Sequence, residues 1–479
     1  MEPPRKAPKQ RGNRKIGGHR PSHGSRSSRS AALEASAALE AFAALEKSAA
    51  LTYSGSMKRR KHIVFVAAML SLLAAAVPSQ ERTVVTTFPA EGGNRYVEGS
   101  LQLDQAQRHT VSLGGTPQWI TGAANARGAS FLVVMQDGEK RLVTQTDGET
   151  QDERAGDRMA APPVAIAGAN ADGPPTLEPV PSTRYAENRT SAPVPLLDDE
   201  EEGQHLVITA EGELLFVSEA RRMSLSSRAL SDSRIVRVSD TRLIALGNPS
   251  NEYGHGILGD RIEPKGLILI ETGAGRRPFV FQRSLRTEGV METLIPLAAD
   301  VEPGGSPELV VPVSTSAGGT RIVVADVTGS VLAEGPDMGQ PFRWRHPLAV
   351  GPLGPGGETE IVVTKTPHIG GSLEYYRLSG ETLELLHSRP GYSTHRSGAR
   401  NLDMALAGDF TGDGRADMLV PTQGMQSLAV VSRTRAGSEE AARIRLPAPV
   451  SSNLFAARTE AGRLVVAVGI ESGEVLIWR

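Results

Sequence analysis

The sequence predicts an all-β protein made of many short strands joined by turns. Three observations support this fold class: the composition, a recurring strand–loop–strand phrase, and a spacing of about forty to sixty residues between its copies. Of 479 residues, 51 are Gly, 32 are Pro and 4% are aromatic, while 39% are hydrophobic. Because Gly and Pro occupy turns, this composition is typical of short strands rather than of long helices.

The recurring phrase is an apolar strand ending in Ala or Gly, a polar loop rich in Gly and Pro, and a second strand. It is clearest at Pro296–Val313, Pro347–Thr364 and Ala407–Pro421, with weaker copies at Val164–Val180 and Leu454–Val468. Further strand signals follow several copies, so each repeat would form a four-stranded sheet. One such sheet cannot bury both faces, whereas a ring of them can, so the repeats predict a β-propeller of four-stranded blades.

The number and closure of the blades are also predicted. Seven blades fit the spacing best, and the wide gap between Gly168 and Gly259 leaves six or eight open. The last residues, Glu474–Arg479, read as a strand. We expect an early strand, Thr83–Phe88, to complete the final blade, because an incomplete blade would expose an unpaired sheet edge.

One copy of the loop carries oxygen-bearing side chains at alternate positions. It reads Asp-Phe-Thr-Gly-Asp-Gly-Arg-Ala-Asp from Asp409 to Asp417. A tight loop turns alternate residues inward, and Ca²⁺ takes about six to eight oxygen ligands. Gly414 permits the positive φ that such a loop needs. The predicted metal ligands are the carboxylates of Asp409, Asp413 and Asp417, the hydroxyl of Thr411 and the backbone carbonyl of Arg415.

Two calcium-binding motifs have acids at this spacing, the EF-hand and the loop of a β-propeller repeat. An EF-hand needs a Glu at loop position twelve and a following helix. Position twelve here is Val420, in an apolar run typical of a strand, so we expect strand–loop–strand. The motif resembles the D-x-[D/N]-G-D-G-x-x-D loop of FG-GAP/VCBS repeats, which build β-propellers, although Thr411 replaces the usual Asp or Asn. The alternative is an acidic turn that keeps the shape of the repeat without Ca²⁺.

The resemblance extends from about residue 100 to the end of the chain and is closest at Asp409–Asp417. In Pro296–Val313, Asp300 and Glu308 align with the first and last aspartates, but the central Asp is lost. We interpret the other copies as loops that keep the turn and not the metal ion. The resemblance therefore implies a repeat protein with one calcium-stabilised loop.

The first eighty residues differ from the rest. Residues 1–30 are basic and rich in Pro, Gly, Ser and Arg, which predicts disorder. From Ala31, four hexads that each begin Ala-Ala-Leu follow one another, which favours a helix without a single apolar face. Residues 57–80 begin with Met57 and a basic run, continue with the apolar Ile63–Val77, and have the pattern of a secretory signal peptide.

We interpret Met57 as the true start, residues 1–56 as a leader that is not translated, and residues 81–479 as the propeller. The alternative is a signal anchor with a basic cytosolic tail. The apolar run is short for a membrane span, so we expect no stable span after signal cleavage and a periplasmic or secreted protein. The oligomeric state is left open.

Charge and motifs restrict the function. Residues 1–62 contain fourteen Lys and Arg against four Glu, so removing this surplus of ten leaves a body of about −12 from the overall −2. An acidic body does not favour nucleic-acid binding, which depends on cationic contacts with phosphates. There is no Cys, which excludes disulfides and thiolate chemistry. No Walker loop, Gly-x-Ser-x-Gly elbow, His-Glu-x-x-His or dinucleotide fingerprint is present.

The sequence therefore favours an exported binding or scaffold protein, with a protein or glycan partner, over an enzyme. The alternative is an extracytoplasmic hydrolase or lyase with its site in the central pocket, since propeller loops can assemble a site that spacing does not reveal. One loop is a candidate for ligand contact. Gly391–Asp403 gathers Tyr392, His395, Arg396 and Arg400, although we prefer to interpret it as a hydrogen-bonded connector with solvated basic residues. His368 and His387 read as ordinary loop or strand-end residues.

Overall fold

The structure is a computed structural model that describes residues 82–159, 161–180, 191–196, 203–218, 221–225, 227–273 and 276–479. Every described residue belongs to the unit Gln80–Arg479. The leader predicted for residues 1–56 and the signal peptide predicted for residues 57–80 therefore lie outside the described residues.

The described chain is all-β, as predicted, with a single-turn 3-10 helix at Glu91–Gly93 and no α-helix in the described ranges. The strands up to residue 250 are β1 (Arg82–Val85), β2 (Tyr96–Ser100), β3 (Arg108–Ser112), β4 (Pro117–Asn125), β5 (Gly128–Met135), β6 (Lys140–Thr146), β7 (Thr150–Arg154), β8 (Ala165–Gly168), β9 (Thr176–Pro179), β10 (Val194–Pro195), β11 (His205–Ile208), β12 (Leu214–Val217), β13 (Arg222–Ser224), β14 (Val236–Ser239) and β15 (Arg242–Ser250). The strands that follow are β16 (Glu263–Gly273), β17 (Arg276–Ser284), β18 (Val290–Met291), β19 (Leu297–Ala299), β20 (Glu308–Thr315), β21 (Gly319–Ala325), β22 (Val331–Glu334), β23 (Arg345–Gly351), β24 (Glu360–Lys365), β25 (Ser372–Ser379), β26 (Thr382–Pro390), β27 (Leu406–Asp409), β28 (Asp417–Pro421), β29 (Ser427–Thr434), β30 (Gly437–Arg445), β31 (Val450–Arg458), β32 (Leu464–Ile470) and β33 (Glu474–Trp478).

These strands pair into small sheet units, numbered here in chain order within the described residues. Units I, III, IV and VI are β4–β7, β10–β13, β14–β17 and β23–β26. Unit II is β8 and β9 with β1, unit V is β18–β22, unit VII is β27–β30 with β2, and unit VIII is β31–β33 with β3. A parallel bridge between Glu334 and Thr382 joins units V and VI. The described residues thus form eight units, one more than the seven blades predicted, and eight is one of the counts that the sequence left open.

Burial along the strands explains why the units form a ring. All eight residues of β5 are buried, as expected for a strand covered on both faces. In β30, by contrast, exposed and partly buried residues alternate from Ser438 onward, the pattern of a strand with one face in water. Each unit must therefore be covered on both sides by neighbours over its inner strands.

Hydrophobic clusters show which units cover one another. Clusters join unit VIII to I, I to II, and then each unit from III through to VIII to the next. Between units II and III, Val164 and Val180 pack on Ala192, which lies just before β10. At the junction of VIII and I, for example, the rings of Phe131 and Phe455 meet edge to face with centroids 6.3 Å apart. A closed cycle of sheets packed face to face is a β-propeller, which confirms the predicted architecture.

The ring is closed by an early strand, but not by the one predicted from the sequence. β3 pairs antiparallel with β33, from Arg108 opposite Trp478 to Ser112 opposite Glu474, and becomes the fourth strand of unit VIII. The prediction that Thr83–Phe88 completes the final blade is wrong, because β1 pairs with β8 in unit II. The physical requirement, that the last sheet be completed by the start of the domain, is met by β3.

The centre of the ring is occupied by the chain itself. The first strands of most successive units contact one another and so line the centre, as β31 does with β4, β4 with β8, and β23 with β27. Inside them lies a segment, residues 86–103, which we call the central segment. Its β2 runs parallel to β27, and the side chain of Asn94 donates to Val350 O and accepts from Val350 N at 2.8 and 3.1 Å. Thr121 Oγ1 donates to Thr86 O on the other side of the ring.

Candidate functional site

The predicted calcium loop connects β27 to β28, so the expected strand–loop–strand arrangement is present. Asp409 and Asp417 are buried at the two ends of the loop. Both carboxylates accept backbone N–H groups of the loop: Asp409 from Gly412 and Gly414, at 2.6 and 2.9 Å, and Asp417 from Phe410 and Thr411, both at 3.1 Å. Gly414 has φ 84°, as the sequence predicts.

The remaining predicted ligands point to other partners. Asp413 is bound by Arg415, whose Nε and Nη2 donate to Asp413 Oδ2 at 2.9 and 2.6 Å. Although partial burial opposes ionisation, the bonds from Arg415 lower the pKa of Asp413. Thr411 Oγ1 donates to Asp417 Oδ2 at 3.1 Å, and Ser432 Oγ donates to Asp417 Oδ1 at 2.5 Å.

The loop therefore holds its shape through internal hydrogen bonds. A carboxylate offers about four acceptor positions, and Asp417 already accepts four donors, whereas Asp409 accepts two. Among the described residues, no three His, Asp or Glu side chains are grouped closely enough to hold a metal ion. Asp409 has acceptor capacity for a cation, while Asp413 and Asp417 would first have to release their present donors. Ca²⁺ binding by this loop stays a prediction.

The corresponding loop of unit V has the same hydrogen-bond pattern. Asp300 Oδ2 accepts from Gly304 N at 3.0 Å, and Glu308 Oε2 accepts from Val301 N at 2.9 Å. Asp300 and Glu308 thus act as Asp409 and Asp417 do, which agrees with their alignment in the sequence. Because the loop of unit V lacks the central Asp, the first and last acids suffice to shape this turn.

The loop Gly391–Asp403 lies on the opposite face of the ring, where the second and third strands of each unit are joined and the chain passes between units. We call this the upper face. The four residues grouped by the sequence do not act together. Tyr392 is buried and its hydroxyl contacts Arg389 and Glu440, and His395 is buried, whereas Arg396 and Arg400 reach a cavity near the axis.

A tryptophan organises the upper face between units V, VI and VII. Trp344 stacks on His346 and on His368, with ring centroids 5.2 and 6.1 Å apart, and meets His395 edge to face at 4.9 Å. Its indole Nε1 donates to Glu292 O at 3.0 Å. His368, which the sequence suggested was an ordinary loop residue, therefore belongs to a packed aromatic cluster.

Hydrogen bonds define the proton positions in this cluster. His395 Nε2 lies 2.7 Å from Ala399 O, and because a carbonyl only accepts, this nitrogen carries the proton. Burial lowers the pKa of His395 to about 3, so the ring is neutral and its Nδ1 carries no proton. This nitrogen therefore accepts a hydrogen bond from His368 Nε2 at 2.9 Å. Burial, with the nearby Arg95, also lowers the pKa of His346. The cluster is thus uncharged at neutral pH.

A histidine–carboxylate pair lies beside the cluster. His255 Nδ1 is 2.7 Å from Oε1 of the fully buried Glu292, whose Oε2 accepts from Ser314 and Thr320. Glu263 is 1% exposed, and burial together with the charge of Glu292 raises its pKa to about 9. An imidazole oriented by a buried carboxylate is the arrangement of a general base.

A buried charge network holds the central segment. Asp403 Oδ1 accepts from Arg95 Nη2 at 2.7 Å, and Asp403 Oδ2 accepts from Arg234 Nη1 and from Thr87 Oγ1. Asn453 Nδ2 donates to Thr87 O at 3.1 Å. Burial opposes ionisation of Asp403, but the two guanidinium groups outweigh it and hold its pKa well below the ordinary value. The network joins the central segment to units IV, VII and VIII.

No sequence motif predicts the charge network or the pair of His255 and Glu292. Arg95 and Asp403 are 308 positions apart, and His255 and Glu292 belong to separate connections on the upper face. Only the loop Gly391–Asp403 was selected, for its cluster of basic and aromatic residues. The ring brings together residues from repeats that lie far apart in the sequence. Such residues form no short sequence motif.

Comparison with known proteins assigns no family to this chain. No protein-family model and no curated protein sequence matches it, so the FG-GAP/VCBS resemblance stays a prediction. One similar solved structure is BamB from Moraxella catarrhalis, at 11% identity and TM-score 0.45, covering 78% of this chain and 98% of BamB. Another is the β-propeller domain of Myceliophteria thermophila Cps50 (Swd1), at 10% identity and TM-score 0.41, covering 78% and 99%. These values carry no information about ligand or partner.

In the described ranges, no helix is long and apolar enough to cross a membrane.

Proposed function

We propose that this chain is an exported β-propeller that acts as a binding or scaffold protein and contacts its partner through the upper face. The observation that supports this most directly is a pair of exposed apolar side chains on two rigid upper-face loops. Phe342 is 48% and Ile369 is 68% exposed. Burying such side chains against a partner would remove apolar surface from water, which favours binding.

Phe342 is held in a strained position. Its φ is 53°, a left-handed value that is uncommon for a bulky residue. The backbone N–H of Phe342 donates to Tyr253 Oη at 2.8 Å, and its ring packs on Tyr253 and His255 with centroids 5.2 and 5.4 Å apart. Strain of this kind persists where the surroundings impose it, and it is concentrated at functional sites.

Ile369 is fixed through the tryptophan. Thr366, at φ 44°, donates its N–H to Trp344 O at 2.8 Å, and Ile369 N donates to Thr366 O at 2.9 Å. His368 stacks on the same Trp344. Both exposed side chains are therefore attached to one buried framework, so they present an apolar surface that needs no ordering on binding.

The test compares partner capture by surface variants. The mature protein is immobilised, exposed to an envelope extract of its source, and the bound proteins are quantified by mass spectrometry. We expect the double variant Phe342→Ser, Ile369→Ser to lose the specific partner at least tenfold. The control is Phe279→Ser, since Phe279 is 60% exposed on the strand β17. Equal capture by all three proteins would contradict the proposal.

We further propose that Ca²⁺ binds the loop Asp409–Asp417 and stiffens unit VII by drawing its carboxylates together. Support comes from the spacing of the acids and from the acceptor capacity of Asp409. Calorimetric titration of the mature protein should show one principal site that Asp413→Ala abolishes. The control is Asp300→Ala in the corresponding loop of unit V. Identical titrations of wild type and Asp413→Ala would exclude this ligand set.

Export is proposed from the basic and apolar pattern after Met57, which predicts a periplasmic or secreted mature protein. Mass spectrometry of the protein purified from its source should find a mature N-terminus near residue 80. Peptides from residues 1–56 would instead favour the signal-anchor alternative.

A second candidate function is hydrolysis or elimination with His255 as general base. The pair formed by His255 and Glu292 favours it, although it lies on the upper face and not in the central pocket, which the central segment occupies. Loss of an activity in His255→Ala, and its reduction in Glu292→Gln, would identify such an enzyme. A panel of ester, glycoside and uronate substrates with no turnover by the wild type would leave the binding function as the sole proposal.

A further inference from the structure

Two loops of the upper face each present an exposed apolar side chain next to an arginine. The loop 251–262, which joins β15 to β16, ends in Arg261 and Ile262, and Ile262 is 47% exposed. The loop 335–344, which leads from β22 to β23, carries the exposed Phe342 and then Arg343. Each loop therefore offers one apolar group and one cation as neighbours in the sequence.

Phe342 brings the two loops together. Its ring packs on the rings of Tyr253 and His255, which belong to the loop 251–262. Gly254 lies between these two residues, and Arg261 Cδ is 3.8 Å from the position that a Cβ on Gly254 would take. The side chain of Arg261 therefore lies beside the residues that support Phe342.

The second arginine stays close to the same phenylalanine, because Arg343 Nη1 donates to Phe342 O at 3.2 Å. The next residue is Trp344, whose carbonyl oxygen accepts from Thr366 N and so fixes the turn that presents Ile369. These contacts gather three apolar side chains and two arginines on one area of the upper face. We call this area the docking patch: Arg261, Ile262, Phe342, Arg343 and Ile369.

The charges of the docking patch are positive and unpaired. Among the described residues, no carboxylate forms a salt bridge with Arg261 or Arg343. The acids of the two loops, by contrast, are each paired with a cation: Asp260 with Arg400, Glu252 with Lys265 and Asp337 with Arg321. Because salt screens charges over about 8 Å, these local charges act on a partner more strongly than the acidic body as a whole.

We propose that the docking patch binds a segment of a partner protein in which apolar side chains are flanked by aspartate or glutamate. This inference rests on the proposed function, since it specifies the chemistry of the partner at the same surface. The apolar side chains of the segment cover Phe342 and Ile369, and its carboxylates accept paired N–H donors from the two guanidinium groups. Aromatic residues and arginine are the types enriched at the core of such interfaces.

The experiment is a fluorescence anisotropy titration of the mature protein with two labelled peptides of equal length. Both have leucines at the centre; one has aspartates on both sides, and the other has asparagines in their place. We expect saturable binding of the aspartate peptide, at least tenfold tighter than that of the asparagine peptide. Added salt should reduce this preference, because exposed charges are screened.

Charge variants test the role of the two arginines. The double variant Arg261→Gln, Arg343→Gln should reduce the preference to less than twofold and leave the affinity for the asparagine peptide unchanged. The matched control is Arg458→Gln with Arg463→Gln, two exposed arginines on the opposite face that also have no salt bridge among the described residues. The control should keep the full preference for the aspartate peptide. A preference that survives in Arg261→Gln, Arg343→Gln would overturn the inference.

Failure of this inference can be distinguished from failure of the proposed function. Equal binding of both peptides, abolished by Phe342→Ser, Ile369→Ser, would overturn the inference and leave the docking function in place. Binding of neither peptide would also overturn it, while partner capture would still decide the proposed function. Two other occupants would overturn it as well: phosphatidylglycerol vesicles that bind when the peptides do not, or a second copy of this chain, seen as a dimer that Phe342→Ser, Ile369→Ser dissociates in sedimentation.

Discussion

Replacing Asp403 by asparagine tests the buried network that holds the central segment. The side chain of Asp403 is fully buried, and those of Arg95 and Arg234 are 1% and 7% exposed. Asparagine keeps the shape and removes the charge, so two buried guanidinium groups lose their counter-ion. Breaking a buried pair from one side costs about 3–5 kcal/mol, because the remaining charge stays desolvated.

The change in melting temperature follows from the size of the domain. At roughly 2 cal/mol/K of unfolding entropy per residue, the melting temperature of a domain of about 400 residues falls by about 1.2 °C per kcal/mol, so Asp403→Asn should melt about 4–6 °C lower. Differential scanning calorimetry measures this shift at neutral pH, and added salt should change it little, because the pair is buried.

The control for this variant is a surface ion pair. Arg158 and Asp137 are 71% and 56% exposed, and Asp137→Asn should cost less than about 1 kcal/mol, or about 1 °C.

The depressed pKa of Asp403 also gives the network a pH dependence. Its stabilisation is complete above about pH 4, the ordinary pKa, and is lost as the pH falls below it. A melting temperature of Asp403→Asn within 1 °C of the wild type would refute this reasoning.

Three further predictions concern a buried acid, the closing strand and a close backbone approach. Burial keeps Glu263 protonated in the folded state but not in the unfolded state, so the free energy of unfolding falls as the pH rises from about 4.3 towards 9. Glu263→Gln removes this titration, so its free energy of unfolding relative to the wild type should be about 4 kcal/mol higher at pH 8 than at pH 5, as measured by urea unfolding. Val111→Pro, which disrupts β3, should abolish cooperative unfolding, whereas Thr83→Pro in β1 should leave one transition; equal behaviour would contradict closure by β3. A Cβ on Gly371 would lie 1.9 Å from Tyr392 O, so Gly371→Ala should cost about 1–3 kcal/mol, measured against Gly148→Ala, which has open space.

The fold class could be predicted because it depends on local patterns. Glycine and proline mark the turns, and the strand–loop–strand phrase recurs wherever a first strand passes to a second, as between β19 and β20 and between β27 and β28. Closure by β3 could not be predicted. Arg108–Ser112 and Thr83–Val85 are both short strands at the start of the domain, and only tertiary packing decides which of them reaches β33.

The sites depended on contacts that no local pattern records. The acidic loop was recognisable because its ligand-type residues lie within nine positions, Asp409 to Asp417. The sequence could not show that Arg415 would bind Asp413 or that Ser432 would bind Asp417. For the upper face, Arg396 and Arg400 were selected as basic loop residues, but their acidic partners come from other units, so the paired charge of the cavity was hidden.

Closure by β3 has a consequence for how the protein is made. Arg108 emerges early from the ribosome, yet its partner Trp478 follows roughly 370 residues later, so unit VIII stays incomplete until the last strand has been made. Until then, the edge of β3 and the apolar faces around it stay open to wrong partners. We therefore expect this protein to need a chaperone that holds the incomplete chain during synthesis. A circular permutation that places β3 directly after β33 should reduce this need.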